Sequence, residues 1–195
     1  SKYINKLIFI WNNQKEPIPI FNYPKMIEFC IIKATKNSLC NRHFIIYDKV
    51  DTESVIIVDD DVILDEKNII DLIDNWQKNK DMVIGLVGRS FGKFGNYYLL
   101  PNKENIITLG QTMMYHKKYM LEFAKHKTIH DFIDNKDPSK SDDIALQLMI
   151  QSINNRPSTK VIYSNTLVNL DSSGAISNQC SRMKHRSNAI RFYIK

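Results

Sequence analysis

At 195 residues, 43% of them hydrophobic and 25% charged, the chain is long enough to bury a substantial core in one domain and lacks the composition of a disordered or fibrous polypeptide. Its net charge of +6 comes from 27 Lys and Arg against 21 Asp and Glu scattered along the sequence, so the expected surface is solvated and mildly attractive to an anionic substrate, with no nucleic-acid stripe. No apolar run approaches the roughly 20 residues that span a bilayer, Ile4 to Trp11 lacks a signal-peptide cleavage site, and Cys30, Cys40 and Cys180 are too few and irregular for a disulfide framework or a zinc site.

In chain order, the apolar run Lys6 to Trp11 predicts a strand, Pro17-Ile18-Pro19 a loop, and Met26 to Lys36 a helix. Val55 to Val58 predicts a buried strand, Glu66 to Lys78 a helix and Met82 to Val87 a further strand. The glycine- and aromatic-rich stretch from Gly88 to Gly95 then reads as a loop able to cover a cleft. Beyond it, Asn105 to Leu109 predicts a strand, Lys117 to Lys127 a helix and Asp137-Pro138-Ser139 a loop. The helix at Asp142 to Ile153 is best defined, since Ile144, Ala145, Leu148, Met149 and Ile153 share one face and Ser141 or Asp142 can cap its start. Val161 to Tyr163 is the last expected strand, followed by a loop at Asp171 to Gly174. Strands alternating with helices predict a single α/β domain over residues 1–195, with a largely parallel twisted sheet flanked by helices.

The run Val55-Ile56-Ile57-Val58 stops at three carboxylates, Asp59, Asp60 and Asp61. Ligands of open α/β sheets sit beyond the carboxyl ends of the strands, and three adjacent acids repel one another unless something positive neutralises them. A divalent metal carrying a polyphosphate does so. In an extended chain Asp59 and Asp61 point one way and Asp60 the other. Asp142 and Asp143 fall in a first helical turn, where the helix dipole favours carboxylates whatever their role. Taken alone, the strand followed by Asp-X-Asp, with Ser141-Asp142-Asp143 as a late acidic motif, also resembles a phosphatase or phosphotransferase of the haloacid dehalogenase type. Asp59 would then be the nucleophile.

Read as an ordered series, the motifs resemble the exostosin-like glycosyltransferases, glycosyltransferase family 64. The series runs through Leu7-Ile8-Phe9-Ile10-Trp11-Asn12-Asn13, Asn37-Ser38-Leu39-Cys40-Asn41-Arg42 and Val58-Asp59-Asp60-Asp61. It continues with Val83 to Arg89, Ile107-Thr108-Leu109-Gly110 before Met113, Lys118-Tyr119, Leu121-Glu122-Phe123 and Asp142-Asp143-Ile144-Ala145. It closes with Ser173-Gly174 and His185-Arg186, read as a C-terminal loop over a diphosphate. In the family an additional strand precedes the Trp-Asn-Asn strand and sits centrally in the sheet. Ser1 to Asn5 stand before the matching strand here, so an uncovered apolar strip with unpaired backbone groups is expected. The chain also has Gly88 where the family tends to have proline, and no Trp before His185.

The resemblance implies a GT-A fold and a metal-dependent glycosyltransferase that retains anomeric configuration. Such an enzyme moves N-acetylglucosamine or another N-acetylhexosamine from a UDP-sugar to a glycan or glycoconjugate acceptor. Trp11, Asn12, Asn13, Asn37 and Arg42 would contact the nucleotide, Asp59 and Asp60 would lie beside ribose and sugar, and Asp61 with Asp59 would hold Mn2+ or Mg2+. His185 and Arg186 would clamp the diphosphate. Asp143 would face the anomeric carbon, as electrostatic stabiliser or transient nucleophile. A catalytically inactive nucleotide-sugar-binding module descended from such an enzyme is the other alternative, and a homo-oligomer stays open. The family implies the lumen of the Golgi or ER, whereas the lack of any Asn-X-Ser/Thr acceptor leans towards the cytoplasm.

Overall fold

The computed structural model describes residues 3–20, 22, 25–100, 105–164, 166–170 and 181–194; the Ser173-Gly174 loop and Cys180 lie outside them. β1 (Lys6–Trp11) has the expected bounds. The segment expected as a helix over Met26 to Lys36 is instead a strand, β2 (Glu28–Lys33), parallel to β1 from Lys6 opposite Glu28 to Trp11 opposite Lys33. Met26, Phe29, Cys30 and Lys33 do satisfy helical spacing. Short apolar runs fit either period, and pairing of the β-branched Ile31 and Ile32 against β1 decides.

Two 3-10 turns, Leu39–His43 and Tyr47–Lys49, lead to β3 (Ser54–Val58), β4 (Val62–Ile63) and α1 (Glu66–Gln77). The Asp65 side chain caps α1 by accepting from the Asn68 backbone N–H at 2.7 Å. β5 (Val83–Gly85), β6 (Gly88–Phe91) and β7 (Tyr97–Tyr98) divide the stretch expected as one strand and a loop. β8 (Ile106–Thr108) follows, and then β9 (Thr112–His116), which carried no strand expectation. Four of its five residues are buried, so it lacks the alternation that marks a half-exposed strand. α2 (Lys118–Lys125), α3 (Lys127–Asn135) and α4 (Asp142–Asn154) precede β10 (Thr159–Val161), β11 (Val168–Asn169) and α5 (Arg182–Tyr193).

The central sheet has the order β10-β5-β9-β3. The expectation of a largely parallel sheet is corrected by β9, which runs antiparallel to both β3 and β5, while β5 and β10 are parallel. The architecture is mixed α/β, with helices on both faces of this sheet. On one face Ile57, Met113 and Tyr115 pack with Phe123, Leu146 and Ile150; on the other Ile84 and Met114 pack against Leu72 and Trp76 of α1.

α4 also departs from expectation. It is a core helix with every residue from Asp142 to Gln147 buried, while Ile153, assigned to the apolar face, is half exposed. His185 and Arg186, expected in a loop, belong to α5. That helix has weak apolar periodicity and is docked by buried Ala189 and Ile190, by Phe192 stacked 4.1 Å from Phe132, and by the Tyr193 hydroxyl 3.1 Å from Ser141 Oγ.

The β1-β2 pair stands apart from the central sheet. β1 and β3 face each other across a groove of about 1210 Å³, and among the described residues no strand lies between them. Leu7, Ile8, Ile10, Ile56 and Val58 line this groove and make its wall apolar.

Candidate active site

The acid triplet caps β3 at the carboxyl edge of the sheet. The Asp59 N–H donates to the Gln111 carbonyl at 3.0 Å, tying the triplet to the turn before β9. β4 pairs antiparallel with β11, and the Leu170 N–H donates to the Asp61 carbonyl at 2.7 Å, fixing the far side of the turn. Asp59 is half-buried and ion-paired with Arg42. Burial pushes its carboxyl above the ordinary value, with Arg42 opposing. The Asp60 and Asp61 carboxylates have no hydrogen bond or ion pair among the described residues.

Arg42 sits in the first 3-10 turn, whose local structure follows from its flanking polar side chains. Ser38 caps the turn by accepting from the Cys40 N–H, and Asn41 Nδ2 donates to Asn12 Oδ1 at 2.7 Å and to the Lys36 carbonyl at 2.9 Å. Arg42 Nε donates to Asp142 Oδ2 at 2.7 Å, and its NH1 group reaches both Asp59 and the Gly110 carbonyl. His43 Nε2 lies 2.9 Å from the same Asp142 oxygen, and its Nδ1 3.0 Å from the Tyr115 hydroxyl. Burial alone would push the Asp142 carboxyl up, but Arg42 and His43 outweigh it and hold Asp142 well below the usual carboxylate range. The same two carboxylates, aided by Asp143, overcome burial to keep Arg42 firmly charged.

Asp143 begins α4 and is almost wholly buried. Its Oδ2 accepts from the Gly110 N–H at 3.0 Å and from Arg186 NH1 and NH2 at 3.1 and 3.2 Å, and its Oδ1 accepts from the Ile144 N–H at 2.9 Å. Arg186 in turn lies 5.5 Å over the ring of Tyr97. Burial opposes its charge, but Asp143 outweighs burial and the guanidinium pKa rises. Gly110 is the seam between the two clusters: a Cβ there would collide with the Arg42 guanidinium and sit 3.0 Å from Asp143 Cβ. This close approach of backbone requires glycine.

Gln147, one turn further along α4, fastens the arrangement. Its side chain donates to the Thr108 and Asp143 carbonyls, both at 2.8 Å, and accepts from the Thr108 N–H at 2.7 Å and Thr159 Oγ1 at 3.1 Å. Gln147→Leu leaves both backbone groups of buried Thr108 without this partner. The expected cost is about 3 kcal/mol, a fall of roughly 6–12 °C in a thermal melt followed by circular dichroism; an unchanged melting temperature would contradict the bridging role.

Of the residues expected to touch a nucleotide, Trp11, Asn12, Asn13, Asn37, Arg42, Asp59 and Asp60 all line this groove. Trp11 Nε1 donates to the Glu16 carbonyl at 3.1 Å and Asn13 Oδ1 accepts from the Lys15 N–H at 2.9 Å, so their orientation is set locally. His185 is not brought to this group. It lines a separate cavity of about 410 Å³ with Phe132, Lys136 and Arg191, and its Nε2 lies 2.7 Å from Ser181 Oγ. Sequence reasoning gives no site role to His43, Tyr115, Gly110 or Gln147, and places Asp142 in the acidic and family motifs and at a helix start without assigning it one. A lone His in a short turn carries no signal that it will meet an acid 99 residues later.

The mixed α/β domain thus holds carboxylates at a strand end beside a groove and a second acid, paired with arginine, at a helix start. The chain belongs to glycosyltransferase family 64: the model of the glycosyl transferase family 64 domain matches residues 1–195. It is similar to an exostosin-like-3 homolog of Caenorhabditis elegans, 24% identical over 99% of this chain and 24% of that protein. Exostosin-like 2 of Mus musculus is 27% identical over 94% of this chain and 59% of its own length, and human exostosin-2 is 25% identical over 81% and 23%. The chain thus spans less than two thirds of these curated relatives, and what it matches throughout is the family's glycosyl transferase domain.

Proposed function

We propose that this domain is a metal-dependent, retaining glycosyltransferase of the GT-A fold, moving N-acetylglucosamine or a related N-acetylhexosamine from a UDP-sugar to a glycan acceptor. The observation that carries this reading is the convergence of Trp11, Asn12, Asn13, Asn37, Arg42, Asp59 and Asp60 on one groove that runs up to the acid triplet. The groove would take the nucleotide, with Asp59 held towards it by Arg42.

Among the described residues no group of three or more His, Cys, Asp or Glu is arranged to hold a metal. Mn2+ and Mg2+ in nucleotide sites are held by one or two carboxylates while phosphates and water complete the shell. Asp61, whose carboxylate has no partner among the described residues, would be the main ligand, with Asp59 beside it. The ion would neutralise charge growing on the diphosphate.

In the transfer itself the bond between the anomeric carbon and the phosphate oxygen breaks, and the acceptor oxygen bonds to that carbon on the same face. The acceptor proton passes to the departing UDP. Neither Asp143 nor Arg186 is among the residues lining the groove, so Asp143 meets the sugar only if donor phosphates draw the Arg186 guanidinium away from it towards the leaving group. Asp143 then stabilises positive charge at the anomeric carbon. With Arg186 drawn away, the Gly110 and Ile144 N–H groups still hold the Asp143 carboxylate in place, which supports an electrostatic role over a covalent one.

The phosphatase reading needs the Asp59 carboxylate free for attack, and it is paired with Arg42. Titration calorimetry with UDP tests the function directly. Manganese should strengthen binding about tenfold or more, and Asp61→Asn should abolish the difference. Equal affinity with and without manganese would defeat the assignment, and binding with no transfer from UDP-N-acetylhexosamines would leave a non-catalytic module.

A further inference from the structure

Arg42 is a long side chain asked to hold Asp59 in one place, and what steadies it lies deeper in the fold. His43 is fully buried, with Phe123 edge-on at 5.3 Å and Tyr115 and Asp142 on its two nitrogens. Burial lowers the imidazole pKa from its ordinary value, which favours the neutral form. One tautomer then satisfies every polar contact: Nδ1 accepts from the Tyr115 hydroxyl and Nε2–H donates to Asp142 Oδ2. Asp142 Oδ1 is buried without a partner among the described residues, so the carboxylate is located through its other oxygen by His43 and Arg42 alone. A continuous chain therefore runs from Tyr115 on β9 through His43, Asp142 and Arg42 to Asp59.

We propose that His43 is a positioning residue of the donor-nucleotide site: it anchors Asp142 so that Arg42 holds Asp59 in register with the groove. The proposal rests on the donor reading given above. An aromatic hydrocarbon such as Phe at position 43 would fill the space but leave Asp142 with Arg42 as its one donor among the described residues and take away the acceptor of the Tyr115 hydroxyl. Arg42 would then exchange among rotamers, and Asp59 with it.

The test compares His43→Phe and His43→Gln with the parent chain in three measurements: a thermal melt, binding of UDP with manganese, and the NMR signal of Arg42 Nε–H. His43→Phe should lose the slowly exchanging Arg42 signal, weaken UDP binding and raise the donor KM by about tenfold, and leave kcat within about twofold. His43→Gln, whose amide N–H can reach Asp142, should restore signal and affinity to within about threefold even where its melting temperature stays lowered. Parental UDP affinity in folded His43→Phe, an unaltered Arg42 signal, or equal losses in the two variants would overturn the proposal. Should His43→Phe fail to fold, His43→Asn replaces it, being polar but too short to reach Asp142. A parent chain that shows the Arg42 signal but ignores UDP with manganese defeats the donor reading, and with it reduces His43 to a residue of fold stability.

Discussion

Replacing Asp143 by Asn is expected to lower sugar-transfer turnover by about a hundredfold or more while donor affinity stays near that of the parent, because a charge facing the anomeric carbon acts in the transition state and not on the bound nucleotide. The same change strips buried Arg186 of its counter-charge, and breaking one side of a buried pair costs about 3–5 kcal/mol. Loss of fold could therefore imitate loss of chemistry. A melt of the same variant separates them: assayed well below its measured melting temperature, folded Asp143→Asn should still bind UDP with manganese and still lack turnover. If Asp143→Asn transfers sugar at the parental rate, or if its deficit vanishes once stability is restored, Asp143 has no part in the reaction.

The second large effect is expected at Arg42, which spans two carboxylates, one of them fully buried. Arg42→Met leaves Asp142 with His43 alone and should cost about 3–5 kcal/mol, besides weakening nucleotide binding through Asp59. The pH profile carries a sign. Because the folded Asp142 carboxyl is held well below its unfolded value of about 3.9, its stabilisation is present above that pH and is lost as pH falls towards the folded value. Without Arg42 the folded pKa rises and the acid limb of the stability curve moves to higher pH. Chemical denaturation from pH 7 to 3 measures it, and superimposable acid limbs for the parent and Arg42→Met would show that the pair does not hold Asp142 ionised.

Local periodicity alone exposed β1, β3, α1 and α4, and the carboxylates after Val58 stood out because a buried strand ending in three acids demands compensation. The ordered series of motifs then led to the family. β2 was misread because Met26, Phe29, Cys30 and Lys33 fit a helix as well as a strand, and only its ladder with β1 distinguishes them. β9 escaped notice because a strand buried on both faces shows no alternation, and its antiparallel position makes the sheet mixed. α5 lacks a clear apolar stripe and is a docked helix through contacts with Ser141, Phe132 and Asp143.

The sequence by itself therefore determined which carboxylates and arginines the domain possesses, where its main strands end and which family it resembles. The tertiary structure decided how those charges are paired: Arg42 with an acid 100 residues away, Arg186 with one 43 residues away, and His185 turned to a different cavity. The physical reason is that charge pairing depends on which backbones approach through packing, as at Gly110, where two clusters meet across a residue without a side chain. Contacts of that range leave no local period in the chain.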